Sequence, residues 1–257
     1  MSLAQASSGQ AKQVLQTLLK ASPAIARPKQ HQKPSTAHFT KLLSTDPSTT
    51  EIEAALRRYT QAAQPLTERN LSALARHTCF SKQSPETLRK WLEQPVQFGA
   101  VQPIKPVARE LVRSTAAQVV RTKKGLQEVW RVLAVLAMRE PTVAQDLVVL
   151  GTTLWALNQV NAPQEELKEL AEQIAAQYRA NKQLTDIKAE EMDTAAAWRC
   201  QLDYTPLSKV LTKVDSFGLS VEVEGMLKKL QKTLDQEMGV WRSINGSIGR
   251  RWEDYLA

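Results

Sequence analysis

From Ser48 onward, apolar residues recur at helical spacing almost without a break, and this periodicity constrains the fold more than any other feature of the chain. Ser48 and Glu51 stand three apart, the spacing of a capping box, and Ile52, Leu56 and Tyr59 follow at helical intervals. Leu71, Leu74 and Ala75 share one side of the stretch 66–77. Ser84 followed by Pro85 pairs an N-cap with a first-turn proline ahead of Leu88 and Trp91, and Pro141 and Pro163 occupy similar first-turn positions. Glycine is scarce, at nine residues, which argues against a turn-rich β protein. The fold class predicted is all-α, a multi-helix bundle of roughly eight to ten helices with a flexible basic N-terminal tail.

After residue 106 the pattern predicts helices over 107–124, 126–139, 142–158, 163–181, 183–201, 207–214 and 222–243, with a short one closing the chain over 249–256. Leu126, Val129, Trp130, Leu133, Leu136 and Ala137 read as one apolar face. Leu147, Val148, Val149 and Leu150, with Leu154 and Trp155, supply a broader apolar surface. These two helices, joined by Arg139, Glu140, Pro141 and Thr142, are expected to form the buried centre, with Trp130 and Trp155 inside it. "GLSVEVE" at 218–224 alternates apolar and polar residues and is the one segment that also reads as a strand.

Composition divides the chain. Residues 1–45 are rich in Ser, Gln, Lys, Pro and Ala and carry no acidic residue, so a basic, flexible tail is expected. Within it Val14, Leu15, Leu18 and Leu19 line one face of a short amphipathic helix, a candidate for docking on a protein partner. Residues 46–94 form an N-terminal helical subdomain on this reading, 95–106 a Pro-rich linker and 107–257 a C-terminal helical bundle. The alternative is one continuous helical domain. The longest nearly apolar run, 147–157, is too short for a bilayer, which needs about 20 residues. The N-terminus lacks the basic-then-apolar pattern of a secretory signal, and two cysteines are too few for a disulfide framework. A soluble protein of the cytoplasm or another reduced intracellular compartment is the expectation, with no membrane partner.

The net charge is +8, and it is unevenly placed. Residues 1–45 hold six Lys/Arg and no Asp/Glu, residues 46–125 hold thirteen and seven, and residues 126–257 hold fifteen and nineteen. A basic first half and a mildly acidic second half point to an anionic partner for the first, although a solvated basic surface gives the same pattern. Arg57, Arg58, Arg89, Lys90, Arg109, Arg113, Arg121, Lys123 and Lys124 are the candidate nucleic-acid contacts. Lys123, Lys124 and Gly125 also suit a helix end, with cations at the negative pole of the dipole and glycine in the left-handed position. Trp91 beside Arg89 and Lys90, and Trp252 beside Arg250 and Arg251, are candidates for stacking on bases, or for core edges under arginine stems.

Catalytic and metal patterns are sparse. No phosphate-binding glycine motif is present, and none of the three histidines belongs to an HExxH pattern. His77 and Cys79 lie two apart, which on a helix points them to opposite sides, and a zinc site would need two more ligands. Asp186, Glu190 and Asp193 fall at i, i+4 and i+7, a spacing that suits either a divalent metal or a solvated face. "GSIGRRW" at 246–252 resembles a backbone-clamping loop but lacks an adjacent sheet. No metal, no cofactor and no enzymatic activity is expected. The function predicted is a non-enzymatic nucleic-acid-associated subunit of a larger complex, with DNA or RNA held by its backbone. The alternative is a protein–protein adaptor or assembly subunit without nucleic-acid contact.

Overall fold

In the computed structural model, the structure describes residues 34–82, 84–181, 183–185, 191–245 and 252–256. The described residues form α-helices and short helical turns, and none of them is in a β-strand. In chain order the helices are α1 (Thr36–Leu43), α2 (Thr49–Gln61), α3 (Glu68–Ala75), α4 (Pro85–Glu93), α5 (Pro95–Phe98) and α6 (Lys105–Thr122). There follow α7 (Leu126–Arg139), α8 (Pro141–Ala144), α9 (Leu147–Gln159), α10 (Gln164–Ala180), α11 (Thr194–Leu211) and α12 (Val221–Asn245). A π-helical turn, Arg76–Ser81, extends α3, and 3-10 turns occupy Val214–Ser216 and Trp252–Tyr255. None of the helices described is long and apolar enough to cross a membrane.

The chain divides into two compact units, Met1–Leu111 and Val112–Ala257, so the division falls within α6. The end of the stretch 95–101 is packed into the first unit: Phe98, Ala100 and Val101 are buried, and the Ala100 amide donates to Thr60 Oγ1 at 3.0 Å. Local signals start the helices of this unit. Ser48 caps α2 by accepting from the Glu51 amide while the Glu51 carboxylate accepts from the Ser48 amide, a reciprocal box that satisfies two end donors. Thr67 caps α3 by accepting from the Asn70 amide. The core joins Phe39 and Leu42 of α1, Ile52, Leu56 and Tyr59 of α2, Leu71 and Leu74 of α3, and Leu88, Trp91 and Leu92 of α4. Three polar side chains are paired across it. Tyr59 donates to the Ser35 carbonyl at 2.6 Å, Asn70 to the Thr36 carbonyl at 2.8 Å, and the Trp91 indole to Glu53 at 3.1 Å.

The second unit is organised around α9, in which every residue from 147 to 157 is buried. A helix apolar all round has no solvent face to offer and is enclosed by its neighbours, here α10 and α11. Asp146 caps it by accepting from the Val148 and Val149 amides at 3.0 and 3.3 Å. Gly151 sets the closeness of α9 and α11, since a Cβ there would lie 2.7 Å from the Leu207 Cβ. Helix α12 lies against α10 and α11 through Leu227, Leu230, Leu234, Met238 and Trp241, all buried. Its opposite side is open. Gly225 and Gly239 are both exposed, and a Cβ added at either meets nothing within 4 Å. Gly225→Ala and Gly239→Ala should therefore each stabilise the protein by about 0.5–1 kcal/mol, by reducing the freedom of the unfolded chain alone. Urea titration checks this, and a loss of stability at either position would contradict an open helix face.

Several sequence expectations shift. The buried residues of α7 are Val129, Val132, Val135 and Leu136, whereas Trp130 and Leu133 are half-buried and Ala137 is exposed. The buried stripe is rotated by about a quarter of a turn from the expected one. The run from Val129 to Ala137 is apolar on nearly every side except at Arg131, so periodicity alone does not choose the face. At 218–224 no strand forms: Gly218 takes φ +65°, Ser220 accepts from the Val223 amide at 3.4 Å, and α12 begins at Val221. The two helices expected over 183–201 and 207–214 are replaced by one, Thr194–Leu211, which runs through Pro206. One turn below that proline, the Thr205 hydroxyl donates to the Gln201 carbonyl at 2.6 Å.

Candidate nucleic-acid interface

The nine candidate cations divide by burial. Arg58 and Arg113 are buried, at 8% and 4% exposure, and do not belong to the solvent-facing surface. The reason lies in their helices. In α6 residues 107, 108, 110–117 and 119 are buried, so Arg113 projects into protein. Its guanidinium pairs with Asp203 of α11, contacts the Tyr255 hydroxyl at 3.4 Å and sits 5.2 Å from the centre of the Tyr255 ring. Arg109, four residues earlier, is half-buried. Arg89 pairs with Glu93 one turn on, and its side chain is 11% exposed.

The remaining five are exposed. In the first unit Arg57 pairs with Glu53 at 3.1 Å and lies over the Phe98 ring, 5.2 Å from its centre, while Lys90 projects from α4. Lys41, Arg69 and Arg76 are exposed in this unit too, and Lys41 at the end of α1 is a cation that the sequence pattern does not single out. In the second unit Arg121, Lys123 and Lys124 cluster at the junction of α6 and α7.

That junction is built by local bonds. Thr122 Oγ1 donates to the Gln118 carbonyl at 2.9 Å and accepts from the Lys124 amide at 3.3 Å. Lys123 itself takes φ +55° and Gly125 takes φ +80°. The left-handed helix end expected at Gly125 is thus shared between Lys123 and Gly125, and Gly125 also precedes the first residue of α7. Lys123 Nζ donates to the Gln159 carbonyl at the end of α9, 3.1 Å away. Arg121 and Lys124 have no ion-pair partner among the described residues. The result is an ordered loop that holds three exposed cations within four residues.

The other candidates resolve as structure or fall outside the described residues. Trp91 is 1% exposed and Trp252 2%, so neither offers a ring to a base. Trp252 is packed edge-on against Trp155 at 4.9 Å between ring centres. Asp193 is the N-cap of α11, accepting from the Ala196 amide at 2.7 Å, and does not continue a carboxylate face along a helix. Cys79 is buried in the π-helical turn, and His77 beside it is half-buried. Burial, together with the Lys82 ammonium, pushes the His77 imidazole below its ordinary range, while the Asp46 carboxylate and the Pro47 carbonyl pull the other way. Among the described residues no group of three or more His, Cys, Asp or Glu side chains could hold a metal ion. Val14, Leu15, Leu18, Leu19, Asp186, Glu190, Arg250 and Arg251 lie outside the described residues. No protein-family profile, curated protein or solved structure was found to match the chain.

Proposed function

We propose that this chain is a non-enzymatic binding subunit that contacts the phosphate backbone of nucleic acid, within a larger complex. The supporting observation is the ordered loop at the α6–α7 junction, which presents Arg121, Lys123 and Lys124 to solvent, with Arg121 and Lys124 uncommitted to acidic partners among the described residues. A cation already held in an ion pair gains less from a phosphate than one that faces water, because the first pair must be broken. By that criterion Arg121 and Lys124 are better contacts than Arg57, Arg89 or Arg113. Lysine and arginine on such a loop neutralise phosphates and release condensed counterions, a gain independent of base sequence.

The triple variant with Arg121, Lys123 and Lys124 each replaced by Glu should bind unrelated nucleic-acid sequences more weakly, and about equally so. Its salt slope should fall by about 1 for each phosphate that is no longer neutralised. Lys213, Lys229 and Lys232, all exposed in the second unit, provide the charge-matched control and should matter less. Fluorescence anisotropy at several salt concentrations measures both, with circular dichroism to verify folding. Equal weakening in the two triple variants would reduce the effect to net charge. Absence of binding at low salt would remove the nucleic-acid reading and leave a protein–protein adaptor.

A further inference from the structure

Resting on the nucleic-acid reading above, we infer that the partner is double-helical, held by the phosphates of a duplex and not by the bases of a single strand. The observation is the placement of the aromatic residues. The chain has six Trp, four Tyr and four Phe, and all of them lie among the described residues. None is exposed. Only Phe80, Trp130 and Trp198 are even half-buried, and the others are enclosed. Trp130 further commits its indole N–H to Glu166 at 3.0 Å.

Proteins that hold single strands combine a cationic track with exposed aromatic rings on which unpaired bases stack, and much of their affinity comes from those rings. Here the cationic part is present, while eleven of the fourteen rings are buried and the other three, Phe80, Trp130 and Trp198, are only partly exposed. Two of the three loop cations are lysines, whose ammonium groups attract phosphate as point charges and offer no plane for a base. The Arg57 guanidinium already lies over Phe98. What remains is attraction to phosphate, and this favours the polymer with the denser charge. A duplex carries about one charge per 1.7 Å of its axis, and each phosphate contact releases more counterion from it than from a single strand. Its bases are also paired and stacked internally, so a protein without aromatic platforms forgoes nothing by binding it.

The test uses the full chain with four labelled probes at one low salt concentration: a 20-base-pair DNA duplex, an RNA duplex of that length, the single DNA strand, and heparin as a flexible polyanion. At least one duplex should bind about tenfold more tightly than the single strand, with the steeper salt dependence. The comparison of the two duplexes assigns the helix type. Intrinsic tryptophan emission should be unchanged at saturation, because four of the six indoles are buried and neither Trp130 nor Trp198 presents a fully exposed face. A single strand bound as tightly as either duplex, or quenched tryptophan emission, would overturn the duplex inference and leave the nucleic-acid reading standing. Heparin bound as tightly as both duplexes would also overturn it, since a double helix would then confer no advantage. No binding to any probe would overturn the nucleic-acid reading itself.

Discussion

Replacing Arg113 with alanine should destabilise the second unit by about 3–5 kcal/mol, the cost of removing one member of a buried ion pair. Arg113 is 4% exposed, and the Asp203 side chain it pairs with is 13% exposed. The guanidinium also lies over the Tyr255 ring, so its removal takes away a planar packing surface as well as a charge. The Asp203 carboxylate would remain, largely out of water and without its guanidinium. If this is the source of the cost, neutralising both partners should recover most of it: Arg113→Met combined with Asp203→Leu should be far milder than Arg113→Met alone, because the pair can be replaced by apolar groups of similar size. Urea unfolding of the single and double variants gives the coupling directly. A destabilisation below about 1 kcal/mol for Arg113→Ala would mean that the pair is solvated and adds no more than a surface bridge.

The same residue shows where sequence reading stops. Arg109, Arg113 and Arg121 are alike by type and all stand in the basic half, so charge counting groups them. Their environments differ because α6 is almost wholly enclosed between residues 107 and 119 and is exposed only near its two ends. Nothing local to Arg113 announces Asp203, ninety residues later. Helix ends are different, since their signals are local. Ser48 with Glu51, Pro85 and Pro141 mark the starts of α2, α4 and α8 through bonds and φ preferences that span four residues or fewer. The all-α class and the central position of α9 are legible for a similar reason, as an eleven-residue run without a charged group has no side to give to water. Asp193 and Pro206 are harder to read: an acidic residue before a helix and one inside it look alike in sequence, and a proline that suggests a break is accommodated within α11.

Trp155→Ala should cost about 3–5 kcal/mol, and Trp130→Ala about half that or less, although the sequence gives the two residues similar apolar surroundings. Trp155 is 4% exposed in the middle of α9 and meets Trp252 edge-on at 4.9 Å. Trp252 is in turn stacked on Tyr255 with ring centres 6.0 Å apart, and Tyr255 carries the Arg113 guanidinium. Truncating Trp155 therefore opens a cavity at one end of an aromatic chain whose other end is a buried ion pair. The surrounding helices have little room to close it, because Gly151 already brings α9 against Leu207 as closely as a backbone permits. Trp130 is different: it is only partly buried on α7, with its N–H on Glu166, so alanine leaves a notch that water can enter. Trp155→Ala and Trp252→Ala should also be non-additive, the double variant costing less than the sum, since each removes the other's partner. Equal destabilisation at Trp130 and Trp155 would place both rings in one core and contradict the quarter-turn rotation of α7. Strict additivity of Trp155 and Trp252 would show that the terminal turn is not seated on α9.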